Sequence, residues 1–157
     1  MKLLRDIIYK VSLDEVVGST NLAIANLCYD SRKSDKDCLF VAVRGATVDG
    51  HNYIDKAIKQ GAIAIICEEL PDQLEDDITY VKVKSSSKAL GVTSSNFYDN
   101  PSQELRLVGV TGTNGKTTIA SLLFKLYRSL GHNVGLISTI TNYINNEKIE
   151  ATHTTPN

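Results

Sequence analysis

The chain has no surplus of either charge. Its 157 residues carry 17 Lys and Arg against 18 Asp and Glu. That balance removes the electrostatic footprint expected of a nucleic-acid-binding or membrane-surface protein, so neither partner is expected. No apolar run approaches the ~18 residues that a bilayer-spanning helix needs. The first ten residues already hold Lys2, Arg5 and Asp6, so they read as a short amphipathic element and not as a signal peptide. Cysteine is scarce and odd in number: Cys28, Cys38 and Cys67 show no C-x-x-C spacing. Cys38 and Cys67 border apolar segments and are expected as buried thiols. A cytoplasmic location is expected.

What is present is the alternation of an α/β protein. Cys38 to Val43 predicts a strand, with Arg44-Gly45 as a turn. Asn52 to Gln60 predicts a helix closed by Gly61. The continuous apolar run Ala62 to Cys67 suits a buried strand, and Tyr80 to Lys84 alternates like a half-exposed one. Ser85, Ser86 and Ser87 offer N-caps for a helix running to about Tyr98. Asp99-Asn100-Pro101-Ser102 breaks that helix and reads as a linker. A fresh unit follows: strand 106–111, helix 116–130 capped by Gly131, strand 133–138, and a hairpin turning at Asn145-Asn146. The helix aligns Ile119, Leu122, Leu123, Leu126 and Leu130 in one apolar stripe. The expected domains are 1–104 and 105–157. Two parallel strands and one helix cannot cover both faces of a parallel sheet, so the chain is expected to be the first part of a longer protein. Exposed apolar surface on 105–157 would favour self-association or disorder.

The run Gly109-Val110-Thr111-Gly112-Thr113-Asn114-Gly115-Lys116-Thr117-Thr118 carries the chemistry. An apolar lead-in, a glycine-rich turn and Lys-Thr-Thr opening an amphipathic helix are the parts of a phosphate cradle. Glycines let several N–H groups face one anion, and the helix N-terminus adds partial positive charge. A lysine at that end is disfavoured unless an anion is present. The common pattern wants glycine six residues before the lysine, where this chain has Val110. The expected ligands are nucleotide phosphates.

Gly112-Thr113-Asn114-Gly115-Lys116-Thr117-Thr118 resembles the ATP loop of the Mur ligases, which build the peptide of bacterial peptidoglycan and depart from the common pattern in the same way. Asp30-Ser31-Arg32, Leu39 to Gly45 and Asp49-Gly50-His51 resemble their UDP-binding N-terminal domain. Phe97 to Ser102 resembles the link into their central ATPase domain. His153-Thr154-Thr155-Pro156 resembles a substrate segment of the branch that adds the third residue to UDP-MurNAc-L-Ala-D-Glu. The early motifs are shared with the sister branch that adds D-Ala-D-Ala.

The resemblance implies a UDP-binding α/β domain followed by the start of a P-loop ATPase-type parallel-sheet domain. It implies an ATP-dependent amide ligase in which a substrate carboxylate takes the γ-phosphate and the acyl phosphate is captured by an amino acid, meso-diaminopimelate before L-lysine. Lys116 would pair with the β- and γ-phosphates, Thr117 would ligate Mg²⁺, and residues Gly112 to Thr118 would cradle ATP. Ser31, with Tyr29 beside it, would meet the uridine, and Ala46, Thr47 and Val48 would line the same pocket. Thr154 and Thr155 would touch the muramoyl peptide. Thr118 can equally be a solvent-facing helix-start residue, and His51 reads as a cap or turn residue. Arg32 and Arg44 are open between approaching the diphosphate and serving as surface charges. The further residues such a ligase needs lie outside 1–157, so this segment is expected to bind without catalysing. A non-catalytic UDP-sugar or nucleotide-binding module is the alternative class.

Overall fold

Ala62 to Cys67 forms a strand at the heart of a parallel sheet. The computed structural model describes residues 1–45, 48–145 and 147–150. It divides into two compact units, Met1–Leu105 and Arg106–Asn157.

The first unit is built on a five-stranded sheet. Its strands are β2 (Leu13–Val17), β4 (Asn26–Cys28), β5 (Cys38–Val41), β6 (Ala62–Cys67) and β7 (Thr79–Val83), in the order β2-β7-β6-β5-β4. Strands β4 to β7 are mutually parallel, and β2 adds an antiparallel edge. A two-residue ribbon pairs β1 (Lys2–Leu3) with β3 (Ala23–Ile24). Alternate side chains enter opposite faces. Leu39, Val41, Ala64, Ile66, Val81 and Val83 pack with α1 (Leu4–Ile7) and α3 (Ser86–Phe97). Cys38, Phe40, Ile65, Cys67 and Tyr80 pack with α2 (Ile54–Lys59). Both faces are covered, which is why β5 and β6 read as unbroken apolar runs.

Several expectations need correction. Strand β7 is not half-exposed: Thr79, Tyr80, Val81 and Val83 are buried, because Val81 and Val83 pack on the α1 and α3 face and Tyr80 on the α2 face. The helix expected from Asn52 begins as a one-turn 3-10 helix over Gly50–Tyr53 and becomes α-helical only at Ile54. Ser85 caps α3 by accepting the N–H of Lys88.

In the second unit no strand forms over 106–111, and Leu107 is 91% exposed. A parallel ladder needs aligned neighbours, and the strands described in this unit pair among themselves. They are β8 (Gly135–Leu136), β9 (Thr141–Ile144) and β10 (Glu147–Glu150), all antiparallel in the order β10-β9-β8. The strand expected over 133–138 is therefore two residues long and runs against β9. Helix α4 (Lys116–Ser129) ends in a Schellman arrangement. Gly131 at φ +84° donates to Arg128, and His132 donates to Tyr127. Its buried side chain is Phe124, stacked on Tyr143 with centroids 5.1 Å apart. Ile119, Leu122, Leu126 and Leu130 are exposed, so the expected stripe is not the buried face of α4 here.

Candidate functional site

The glycine loop has the backbone its sequence calls for. Gly112 at φ +143° and Gly115 at φ +79° occupy conformations that side-chain-bearing residues rarely adopt, and nothing lies within 4 Å of where a Gly115 Cβ would be. Gly115 is the N-cap of α4, with no capping side chain and no acidic residue in the first turn. The first-turn N–H groups of a helix lack intrahelical partners, so those of Lys116, Thr117 and Thr118 face the loop's mouth uncompensated. Lys116 Nζ donates to the carbonyl oxygens of Gly112 at 2.5 Å and Thr113 at 3.2 Å. Thr117 is half-buried and Thr118 exposed. An open turn, free amides, a dipole end and a lysine make a cradle that fits a polyphosphate.

In the first unit the carboxyl ends of the parallel strands lie on one edge of the sheet, where open α/β sheets take their ligands. Tyr29 and Ser31 follow β4 there, and Val48 follows β5. Ser31 is 6% exposed, and its hydroxyl has no hydrogen-bond partner among the described residues. Tyr29 and Val48 are exposed. Ala46, Thr47, His153, Thr154 and Thr155 lie outside the described residues.

The two arginines left open by the sequence are both committed to carboxylates. Arg32 forks onto Asp30, with Nη2 to Oδ2 at 2.8 Å. That contact, with the Arg32 N–H, holds the half-buried Asp30 carboxyl down at about 2. Arg44 contacts Glu69 and Asp49 at 3.1 Å each and Glu68 at 3.7 Å.

His51 works as a strut. Its Nδ1 is 2.6 Å from Asp49 Oδ1, and its Nε2 accepts the backbone N–H of Glu68 at 2.8 Å. The pairing assigns the ring proton to Nδ1. Sequence reading missed Glu68 and took Ser86 only as a possible helix cap. Glu68 Oε1 accepts both the N–H and the hydroxyl of Ser86 at 2.8 Å. The one available signal was a carboxylate placed directly after a buried strand.

All three cysteines are buried and free. Cys28 and Cys38 sit on neighbouring strands with sulfurs 3.3 Å apart. The Cys28 thiol donates to Cys38, which pushes Cys28 up and brings Cys38 down. Burial pushes Cys67 up to about 11. Among the described residues no three His, Cys, Asp or Glu are grouped to hold a metal, and no helix is long and apolar enough to cross a membrane.

Residues 23–98 match the family described as "Mur ligase family, catalytic domain", and residues 110–157 match "Mur ligase middle domain". The chain belongs to the Mur ligase family. A relative from Cytophaga hutchinsonii, named UDP-N-acetylmuramoyl-L-alanyl-D-glutamate–2,6-diaminopimelate ligase, is 52% identical over 154 residues. A relative of the same name from Parabacteroides distasonis is 52% identical over 153. Each alignment covers 98% of this chain and 32% of the relative, so the chain spans about a third of their length. A solved Mur ligase structure carrying that name aligns with a TM-score of 0.70 at 21% identity, over 99% of this chain and 31% of its own, which shows a shared fold. The D-alanyl-D-alanyl-adding ligase from Acinetobacter baumannii aligns with a TM-score of 0.52 at 27% identity, over 68% of this chain and 23% of its own.

Proposed function

We propose that this chain is the substrate-gripping first part of a Mur ligase that joins an amino acid, meso-diaminopimelate, to UDP-MurNAc-L-Ala-D-Glu at the expense of ATP. One observation carries the reading: 52% identity across 98% of the chain to relatives named for that reaction. The glycine loop supports the ATP half, because its free amides and Lys116 suit a polyphosphate. ATP would supply activation, converting a carboxylate oxygen into a phosphate leaving group. Lys116 would neutralise the phosphates, Thr117 would present its hydroxyl to Mg²⁺, and Gly112 to Thr118 would orient the chain of phosphates. The unspent hydroxyl of Ser31, which keeps solvent access although the residue is largely buried, supports a uridine contact, with Tyr29, Ala46, Thr47 and Val48 assigned to the same pocket. Thr154 and Thr155 are assigned to the muramoyl peptide.

Calorimetric titration with UDP-MurNAc-L-Ala-D-Glu, the corresponding tripeptide nucleotide and UDP-GlcNAc tests the reading. Preference for the dipeptide form is expected. Tighter binding of the tripeptide form would move the assignment to the D-Ala-D-Ala-adding branch. Absence of binding to all three would overturn the substrate assignment.

A further inference from the structure

We infer that Glu68 is a positioning residue that fixes the stem formed by Val43–Gly45 and Val48–Gly50 through Arg44, His51 and Ser86. The inference rests on the reading that the segment carried by this stem meets the uridine nucleotide.

The loop leaves and rejoins the sheet edge through Arg44 and Asp49, which form an isolated antiparallel bridge. Gly45 donates to Val48 at 2.9 Å and Gly50 to Val43 at 2.8 Å, closing the stem. Each side of that stem is fastened to the end of β6. On one side Arg44 Nη1 lies 3.7 Å from Glu68 Oε2, and the Arg44 N–H donates to Ser86 Oγ at 3.4 Å. On the other side His51, held by Asp49, accepts the Glu68 N–H. Glu68 Oε1 then anchors the assembly to the start of α3 through both donors of Ser86. One residue thereby joins three segments that are 17 to 42 positions apart.

Charge decides what this cluster is for. Arg44 is the one cation among Asp49, Glu68 and Glu69, so the cluster is net negative and repels a diphosphate. Arg44 is thus a strut, not a phosphate ligand. The two carboxylates nearest the stem, Asp49 and Glu68, are held below their usual range by the N–H groups of His51 and Ser86 respectively, and the same contacts give the stem its rigidity.

The test compares wild type, Glu68→Ala, Glu68→Gln and Ser86→Ala in the full chain. It uses amide hydrogen exchange together with titration by uridine, UDP and UDP-MurNAc-L-Ala-D-Glu. In Glu68→Ala the Gly45 and Gly50 amides should exchange at least about tenfold faster while Val41 and Ile66 are unchanged. Affinity should fall by the same factor, about tenfold, for uridine and for UDP. Glu68→Gln keeps an acceptor for Ser86 and should retain most of the binding. Unchanged exchange at Gly45 and Gly50 would overturn the inference. So would a loss confined to ligands carrying phosphate, because that pattern belongs to direct anion contact. If Glu68→Ala unfolds, Ser86→Ala, which leaves the backbone donor in place, gives the same readouts. A wild type that ignores every uridine ligand would remove the substrate reading, and the exchange rates would still decide whether Glu68 fixes the stem.

Discussion

The ammonium of Lys116 folds back onto the carbonyl oxygen of Gly112, 2.5 Å away, so the loop's own backbone occupies the lysine proposed to meet the phosphates. A polyphosphate must draw Lys116 off two carbonyls and offer more in return. A charge-assisted hydrogen bond contributes about 1.5–3 kcal/mol. Lys116→Ala should therefore weaken ATP binding by at least about tenfold in a direct titration. Unaltered ATP affinity would remove the lysine from the site.

Ser31→Ala deletes a hydroxyl that has no hydrogen-bond partner among the described residues and is not itself buried, so the fold loses little. A neutral hydrogen bond contributes about 0.5–1.5 kcal/mol. Affinity for UDP should fall about threefold to tenfold with no loss of thermal stability. Equal affinity in the two proteins would remove the hydroxyl from the uridine site.

Gly61 closes α2 at φ +109°, and a Cβ there would lie 2.9 Å from Lys36 Cα. Backbone strain and that contact together should cost Gly61→Ala about 1–3 kcal/mol. A melting temperature lowered by at least about 5 °C is expected. A drop of less than a degree would mean that the 35–37 turn gives way freely.

Acid should loosen the 44–51 stem before it unfolds the sheet. The carboxyls of Asp49 and Glu68 titrate below their ordinary values in the folded chain. Their stabilising contribution is present above the unfolded-state values of about 4 and is lost as pH falls through the lower folded ones. Hydrogen exchange followed downward from pH 5 should show Gly45 and Gly50 released ahead of Ile66. Simultaneous release would count against a separately held stem.

Burial pushes the Cys67 thiol up to about 11, so only about one molecule in a thousand is thiolate at pH 8. Iodoacetamide should leave Cys67 unmodified in the native chain and label it in urea. Mass spectrometry of digested protein checks this, and rapid native labelling would contradict the burial.

Much of the first unit was legible because its signals are local. Ala62 to Cys67 is a strand at the expected bounds, Gly61 closes the helix it was expected to close, and Ser85 caps α3. Strands β2 and β4 escaped notice. Asp14 and Glu15 make β2 look like a loop, yet charges suit an edge strand. The strand expected over 106–111 failed for the converse reason, since apolar β-branched sequence does not pair without neighbours. Of the candidate site, the glycine loop could be read from spacing alone. The Glu68, His51 and Ser86 contacts could not, because nothing in local sequence joins residues brought together by sheet order.

Lys2 Nζ donates to the carbonyl of Asn96 and pairs with Asp99, while the Asn96 amide donates to the carbonyls of Ile7 and Tyr9. The first unit is thus stitched shut where its chain begins and ends. Neighbouring ends are the geometry of a transplantable cassette. Residues 1–105 could be spliced into a surface turn of an unrelated carrier protein, or given new ends elsewhere, without stretching the five-stranded sheet.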